Sequence, residues 1–256
     1  MRRFDDLVSI VARLRGEGGC NWDRAQTPET LRPYLLEEAF EALDAIDRAD
    51  DAAQQQEFGD LVFLATMLSQ MAKERGAFSI DEVVDGVAEK MIRRHPHVFD
   101  PDHGNTSGDG NIPAWESRKA KERANKDSAL DGVPRGLPAL LRAHRISEKA
   151  SAVGFDWPDR TSVLAKVHEE LAELEGALQG GGSEEIGEEF GDLLFSLVNL
   201  GRFLPVAAED ALRKATGKFE RRFRAVEASL QADGLDVHSC DPTTLEARWQ
   251  AVKAAE

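Results

Sequence analysis

The chain has 256 residues, 41% of them hydrophobic, and a formal net charge of −15. That length fits one large domain or two of ordinary size, and the apolar fraction suffices for real cores. The acidity argues against sequence-independent nucleic-acid binding, which relies on clustered Lys and Arg to neutralise phosphates, but leaves room for a nucleotide whose charge a bound metal offsets.

In chain order, the N-terminus Met1 to Asp6 has no apolar signal-peptide region. Cys20 and Cys240 are far apart and outside any Cys-x-x-Cys pair, which points to free thiols in a reducing cytoplasm. Helical periodicity dominates and strand-like alternation is scarce, so an all-α fold is expected. Thr27-Pro28-Glu29 reads as an N-cap, a proline at the first helical position and an acid in the first turn of a helix carrying Leu31, Leu35, Ala39 and Leu43. Asp50-Asp51 marks a turn before a second helix through Leu61, Leu64 and Leu68. Pro101 to Pro113 reads as loop, Ala114 to Lys126 as a charged surface helix, and Asp131 to Pro138 as a linker full of breakers. Asp159 or Thr161 opens the next helix, Gly180-Gly181-Gly182 breaks it, and Ser183-Glu184-Glu185 starts another with a cap and acids suited to the dipole. The apolar stretch Leu193 to Leu200 is too short to span a bilayer. A soluble, cytoplasmic protein with no membrane or nucleic-acid partner is the expectation.

Glu37, Glu38, Glu41, Glu57 and Asp60 recur 132 residues later as Glu169, Glu170, Glu173, Glu189 and Asp192. With 47 acids in the chain, five chosen positions all meet an acid at one offset with a chance of roughly 2 in 10,000, so an internal repeat is the better explanation. The neighbours agree: Phe58-Gly59-Asp60-Leu61 matches Phe190-Gly191-Asp192-Leu193. The repeat divides the chain into two domains, 1–134 and 135–256. A single Glu-Glu-x-x-Glu is ordinarily the solvated face of a surface helix, and the repetition with Glu-x-Gly-Asp is what lifts it above that. Residues three or four apart share a helix face, so each hairpin of two antiparallel helices gathers its acids. Carboxylates held this close call for a cation, and oxygen ligands suit a hard divalent ion such as Mg²⁺, which also binds substrate phosphates. A di-iron bundle would require Glu-x-x-His pairs, and neither Glu173 nor Glu189 has a His three residues on. Gly191, inside a helix, signals close helix approach or room for a ligand.

These motifs, with the run Gly191 to Leu200 and Lys218-Phe219-Glu220-Arg221-Arg222-Phe223, resemble the MazG family of nucleoside triphosphate pyrophosphohydrolases along essentially the whole chain. The resemblance implies two tandem MazG-like helical-bundle domains with carboxylate-bearing hairpins and a homodimer. It also implies hydrolysis of NTPs and dNTPs to the monophosphate and pyrophosphate, with broad base tolerance, in nucleotide-pool house-cleaning. Mg²⁺ is the implied cofactor, with Mn²⁺ able to substitute. Carried over by position, Glu170, Glu173, Glu189 and Asp192 are the metal ligands, and Lys166, Asn199, Lys218, Arg222, Trp249 and Lys253 meet the substrate. Glu169 is the candidate to position or deprotonate the attacking water.

The first half keeps Glu38, Glu41, Glu57 and Asp60 as a second metal site, and Lys90, Arg94, Trp115 and Lys119 reproduce the later spacing. Tyr34 replaces Lys166, however, and Met67 replaces Asn199. Catalysis is therefore expected in the second half, with the first weak or inactive. The competing readings are a helical regulatory protein that senses nucleotide and a narrow relative such as a dUTP- or phosphoribosyl-ATP-specific enzyme.

Overall fold

The computed structural model describes residues 2–99 and 128–255. All regular elements among them are helical, as the periodicity predicts, and none is long and apolar enough to cross a membrane. The chain divides into two compact units, Met1–Asp109 and Gly110–Glu256. Their border lies outside the described residues, as do Trp115, Lys119 and the loop and surface helix expected over 101–126. Division of the repeats at 134/135 stays a proposal. Cys20 and Cys240 carry free thiols.

The first unit begins with α1 (Phe4–Arg15), short α2 (Asn21–Ala25), α3 (Arg32–Asp47) and α4 (Asp51–Glu74). It ends with α5 (Ile80–Arg94) and the single turn α6 (Pro96–Phe99). Helices α3 and α4 form the expected hairpin, and α1 packs on α4. Leu64, Met67 and Met71, at three- and four-residue spacing on α4, bury against Val11 and Leu31. Arg15, nearly buried, locks α1 to the end of α4 through bonds of 2.8–3.1 Å to the Glu74 carboxylate. That guanidinium holds Glu74 below the usual carboxylate range.

Helix α3 starts later than predicted. Thr27 and Thr30 close a turn of their own, with Thr27 N–H donating to Thr30 Oγ1 at 2.9 Å, and the helix opens at Arg32. Pro33 is the reason. Inside a helix begun at Pro28 it would delete one backbone bond and clash with the carbonyl four residues back, whereas in the first turn its missing N–H costs nothing.

The α3–α4 turn behaves as read: Asp50 caps α4 by accepting from Ala53 N–H at 3.1 Å. Just before it, Ala49 sits at φ 51°, with Ala49 N–H bonded to Ile46 O at 3.0 Å and Asp50 N–H to Ala45 O at 3.1 Å. This left-handed cap usually takes glycine. Ala49→Gly is therefore expected to stabilise the protein by about 0.5–1 kcal/mol, read as a higher urea midpoint at unchanged slope.

The second unit contains α7 (Ala139–Ser151), α8 (Arg160–Gly180), α9 (Ser183–Gly201) and α10 (Ala208–Ala232). A 3₁₀ turn (Val237–Ser239) and α11 (Pro242–Ala254) follow. Helices α8 and α9 form the second hairpin, α7 packs across α9 and α10, and α10 holds α11. Asp159 is the cap of α8, accepting from Ser162 N–H at 2.8 Å. At the glycine break, Gly181 ends α8 and Gly182 caps α9, so Ser183 is the first helical residue rather than the cap, while Glu184 and Glu185 occupy the first turn. Val163, Ala177, Val198, Val226 and Leu230 are buried apolar residues among those described in this unit.

Candidate metal and substrate site

Each hairpin delivers its acids to one place. Carboxylate oxygens of Glu170, Glu173 and Glu189 lie within 4.8 Å of one another, and so do those of Glu38, Glu41 and Glu57. Glu170 is buried, Glu189 half-buried and Glu173 exposed, giving a cluster open on one side. Asp192 and Asp60 stand outside these trios, near enough to act on them electrostatically.

The electrostatics record the crowding. Glu189 is pushed above the usual carboxylate range by burial and then by Glu173, Asp192 and Glu170. Glu38 is raised by burial, then by Asp60, Glu41 and Glu57. Like charges at this spacing favour protonation or a cation. One cation is already present in the second hairpin: Lys166 Nζ lies 2.7 Å from Glu169 Oε1 and 2.7 Å from Glu170 Oε1. Those bonds, Glu169 first, hold the ammonium above its ordinary pKa. Hard oxygen donors converging on one point fit a divalent ion of the Mg²⁺ type.

The sign of the pH dependence follows. A carboxyl whose folded pKa is raised stabilises the fold fully only below its unfolded value, and that contribution is lost as pH rises through the folded value. Without metal, the clusters therefore oppose folding at neutral pH. Glu189→Gln is expected to raise the melting temperature of the metal-free protein and to shrink its upshift on adding Mg²⁺, both read by thermal denaturation with and without chelator. A metal-free melting temperature that falls would overturn the repulsion reading.

A cavity of about 650 Å³ adjoins the second cluster, within the roughly 300–1,000 Å³ range of small-molecule sites. Lys166, Glu170, Asp192 and Asn199 all line it. A Cβ built on Gly191 meets nothing within 4 Å, so close helix approach does not explain this glycine.

The other named residues lie elsewhere. Glu169 is exposed and tied to Lys166, outside the trio. Lys218, Arg222, Trp249 and Lys253 do not line the cavity. Trp249 instead packs on Phe219, centroids 5.1 Å apart, and Arg222 lies over its ring at 6.0 Å.

Several lining residues escaped the sequence reading. Arg202 lines the cavity and donates to Asp156 at 3.0 and 2.7 Å and to Asn199 Oδ1 at 2.8 Å. Burial would raise Asp156, but the Arg202 bonds, with those from Ser151 and Trp157 N–H, outweigh it and hold the carboxyl low. Three residues after Asn199 on one helix face, Arg202 had a readable spacing signal. Asp156, Phe155 and Trp157, on the loop before α8, had none. Helix α7, also unpredicted, supplies Ile146, Ser147 and Ala150 to the wall.

The first hairpin differs where the second is equipped. Tyr34 packs edge-on to Trp22, centroids 6.2 Å apart, where Lys166 would stand. Met67 is core, 1% exposed, at the Asn199 position. Gln70, matching Arg202, bonds to Glu74 at 3.1 Å.

Comparison with known proteins follows the same division. The family model described as MazG nucleotide pyrophosphohydrolase domain matches twice, at residues 26–99 and 159–226. A Thermotoga maritima protein called nucleoside triphosphate pyrophosphohydrolase/pyrophosphatase MazG is 46% identical over 254 residues, covering 99% of this chain and 96% of its own. The nucleoside triphosphate pyrophosphohydrolase of Escherichia coli is 45% identical over 261 residues, covering 100% and 99%. The chain also matches the Bacillus subtilis protein YabN, at 37% identity over 255 residues, 99% of this chain and 52% of that one.

Proposed function

The chain belongs to the MazG nucleotide pyrophosphohydrolase family, and from that premise we propose that it hydrolyses nucleoside triphosphates to the monophosphate and pyrophosphate in the second unit. The observation that carries this reading is the meeting of the Glu170–Glu173–Glu189 trio with a cavity lined by Lys166, Asp192 and Asn199. Glu170, Glu173, Glu189 and Asp192 would hold Mg²⁺, which when bound supplies charge neutralisation for the phosphates and a more acidic water.

The chain's own groups have separate tasks. Lys166 is placed to exchange its carboxylate partners for a phosphate oxygen. Glu169, released by that exchange, becomes an acceptor beside the metal ligands and is our candidate to position the attacking water. Lys218, Arg222 and Lys253 add positive charge on α10 and α11 for the leaving pyrophosphate, with Trp249 as their aromatic support. The wall of Phe155, Trp157 and Phe195 offers stacking, which tolerates any base because each has a π face. Broad specificity and a nucleotide-clearing role fit that wall. Exposed Leu171, Leu178, Phe190 and Leu194 on the α8–α9 hairpin support homodimerisation. The first hairpin keeps the second metal trio without the lysine, asparagine and arginine, which fits weak or no turnover there.

The test is direct: each NTP and dNTP is incubated with the protein, with Mg²⁺ or with chelator, and products are separated. Metal-dependent pyrophosphate and monophosphate support the reading. Orthophosphate as the product, or no product, overturns it.

A further inference from the structure

Asn199 and Arg202 carry an inference that rests on the functional reading above and goes past it. Arg202 is about 10% exposed and makes three directed bonds, two to Asp156 and one to Asn199 Oδ1. Its guanidinium also lies over the Phe203 ring at 5.6 Å, so its position is fixed from several sides. A guanidinium has five donors and no acceptor, so the carboxamide of Asn199 must turn its oxygen towards Arg202. What remains for the cavity is the amide nitrogen, a donor. Asn199 therefore recognises an acceptor and not a donor.

The position of Asn199 says which part of the substrate offers that acceptor. It lies seven residues beyond Asp192 on the same face of α9, about 10 Å along the helix axis at ~1.5 Å per residue. Phosphates held near Glu170 and Asp192 would put the sugar next to them and the base one unit further along, level with Asn199. The surroundings there are Phe155, Trp157 and Phe195, apolar rings suited to a flat base rather than to a hydroxylated sugar. Two of those rings sit on the loop that Asp156 ties to Arg202, so the same ion pair sets both the wall and the donor.

We propose that Arg202 is a positioning residue that holds the Asn199 carboxamide with its N–H towards the cavity, where it donates to a carbonyl oxygen on the edge of the substrate base. Inosine and adenine nucleotides exchange donor and acceptor at this edge, inosine offering O6 beside an N1–H donor and adenine an N1 acceptor beside an amino donor, so an N–H fixed on the 6-position favours inosine. A net hydrogen bond of about 1 kcal/mol corresponds to about a five-fold difference in kcat/KM, so the protein should prefer ITP to ATP by about that factor.

The experiment measures kcat/KM for ITP, ATP and dATP with the full chain, and equilibrium binding of α,β-methylene ITP and ATP, for wild type, Asn199→Ala, Arg202→Leu, Arg202→Lys and the Asn199→Ala/Arg202→Leu double variant. Asn199→Ala is expected to bring the ITP-to-ATP ratio to about one. Arg202→Leu should do the same by freeing the Asn199 carboxamide, and the double variant should add nothing further to the ratio. Arg202→Lys, which keeps a cation on Asp156 and guards against loss of folding, should lower the ratio while preserving the melting temperature. A ratio unmoved by Asn199→Ala, or Arg202 variants that slow all substrates equally, would overturn the assignment. A change confined to ATP against dATP would place the acceptor on the sugar and overturn the base assignment. Wild-type protein that hydrolyses none of them overturns the functional reading, and this inference falls with it.

Discussion

Replacing Glu173 and Glu189 together by alanine is expected to abolish hydrolysis, lowering kcat/KM by at least about 10³-fold, while Glu41→Ala with Glu57→Ala leaves most of it. Both pairs occupy equivalent places in their hairpins, each completing a trio of oxygens within 4.8 Å. What separates them is the company each keeps. The second trio has a lysine at 2.7 Å and a lined cavity; at the matching places the first has Tyr34 stacked edge-on to Trp22, Met67 in the core and Gln70 bonded to Glu74. A metal held by the first trio would have a tyrosine rather than a lysine at the place of Lys166 to meet phosphate charge. Loss of folding does not explain the expected result, since removing mutually repelling acids relieves strain in the metal-free protein. The checks are steady-state kinetics at excess Mg²⁺ and melting curves for both double variants. Loss of activity in the first-hairpin variant with retention in the second would sink the assignment of catalysis to the second unit.

How much of this was legible in the sequence depended on whether the information was local. The hairpins were, because acids three and four apart on a helix face each other whatever else the chain does, and Asp50, Asp159 and the glycine break mark where the helices turn. At the start of α3 two prolines compete for the first turn: the cap signal at Thr27 favours Pro28, and the cost of Pro33 further in moves the start to Arg32. Ser183 is a stronger statistical cap signal than the glycine before it, yet Gly182 has the extended backbone a cap needs and takes that place. The cavity was the least legible part. It is made by a loop and a helix, Ala152 to Asp159 and α7, that meet α9 only in three dimensions, and the Asp156–Arg202 bond spans 46 residues with no helical period to announce it. The asymmetry between halves was half visible: Tyr34 and Met67 could be read off, but that Met67 is fully buried core, and not an idle neighbour of a site, needed the packing.

Lys166→Met is expected to weaken turnover and strengthen metal binding at once. In the metal-free protein the ammonium occupies the place a divalent cation would share, 2.7 Å from Glu170 Oε1, on a carboxylate that is 6% exposed. Any ion that coordinates that oxygen must displace the lysine or share with it. Methionine keeps the length and apolar stem and removes the competitor, leaving a buried carboxylate that the metal would compensate. Mg²⁺ affinity should therefore rise, and by linkage the melting temperature should climb further on adding Mg²⁺ than it does in the wild type. Turnover moves the other way. Once the metal takes Glu170, the displaced ammonium is the nearest cation to the phosphates, and a charge-assisted hydrogen bond of about 1.5–3 kcal/mol in the transition state corresponds to roughly 10- to 150-fold in kcat/KM. Calorimetric titration with Mg²⁺ and steady-state kinetics on one substrate read the two effects separately. If Lys166 were only a surface partner of Glu169, both would stay at wild-type values, and that result would remove it from the site.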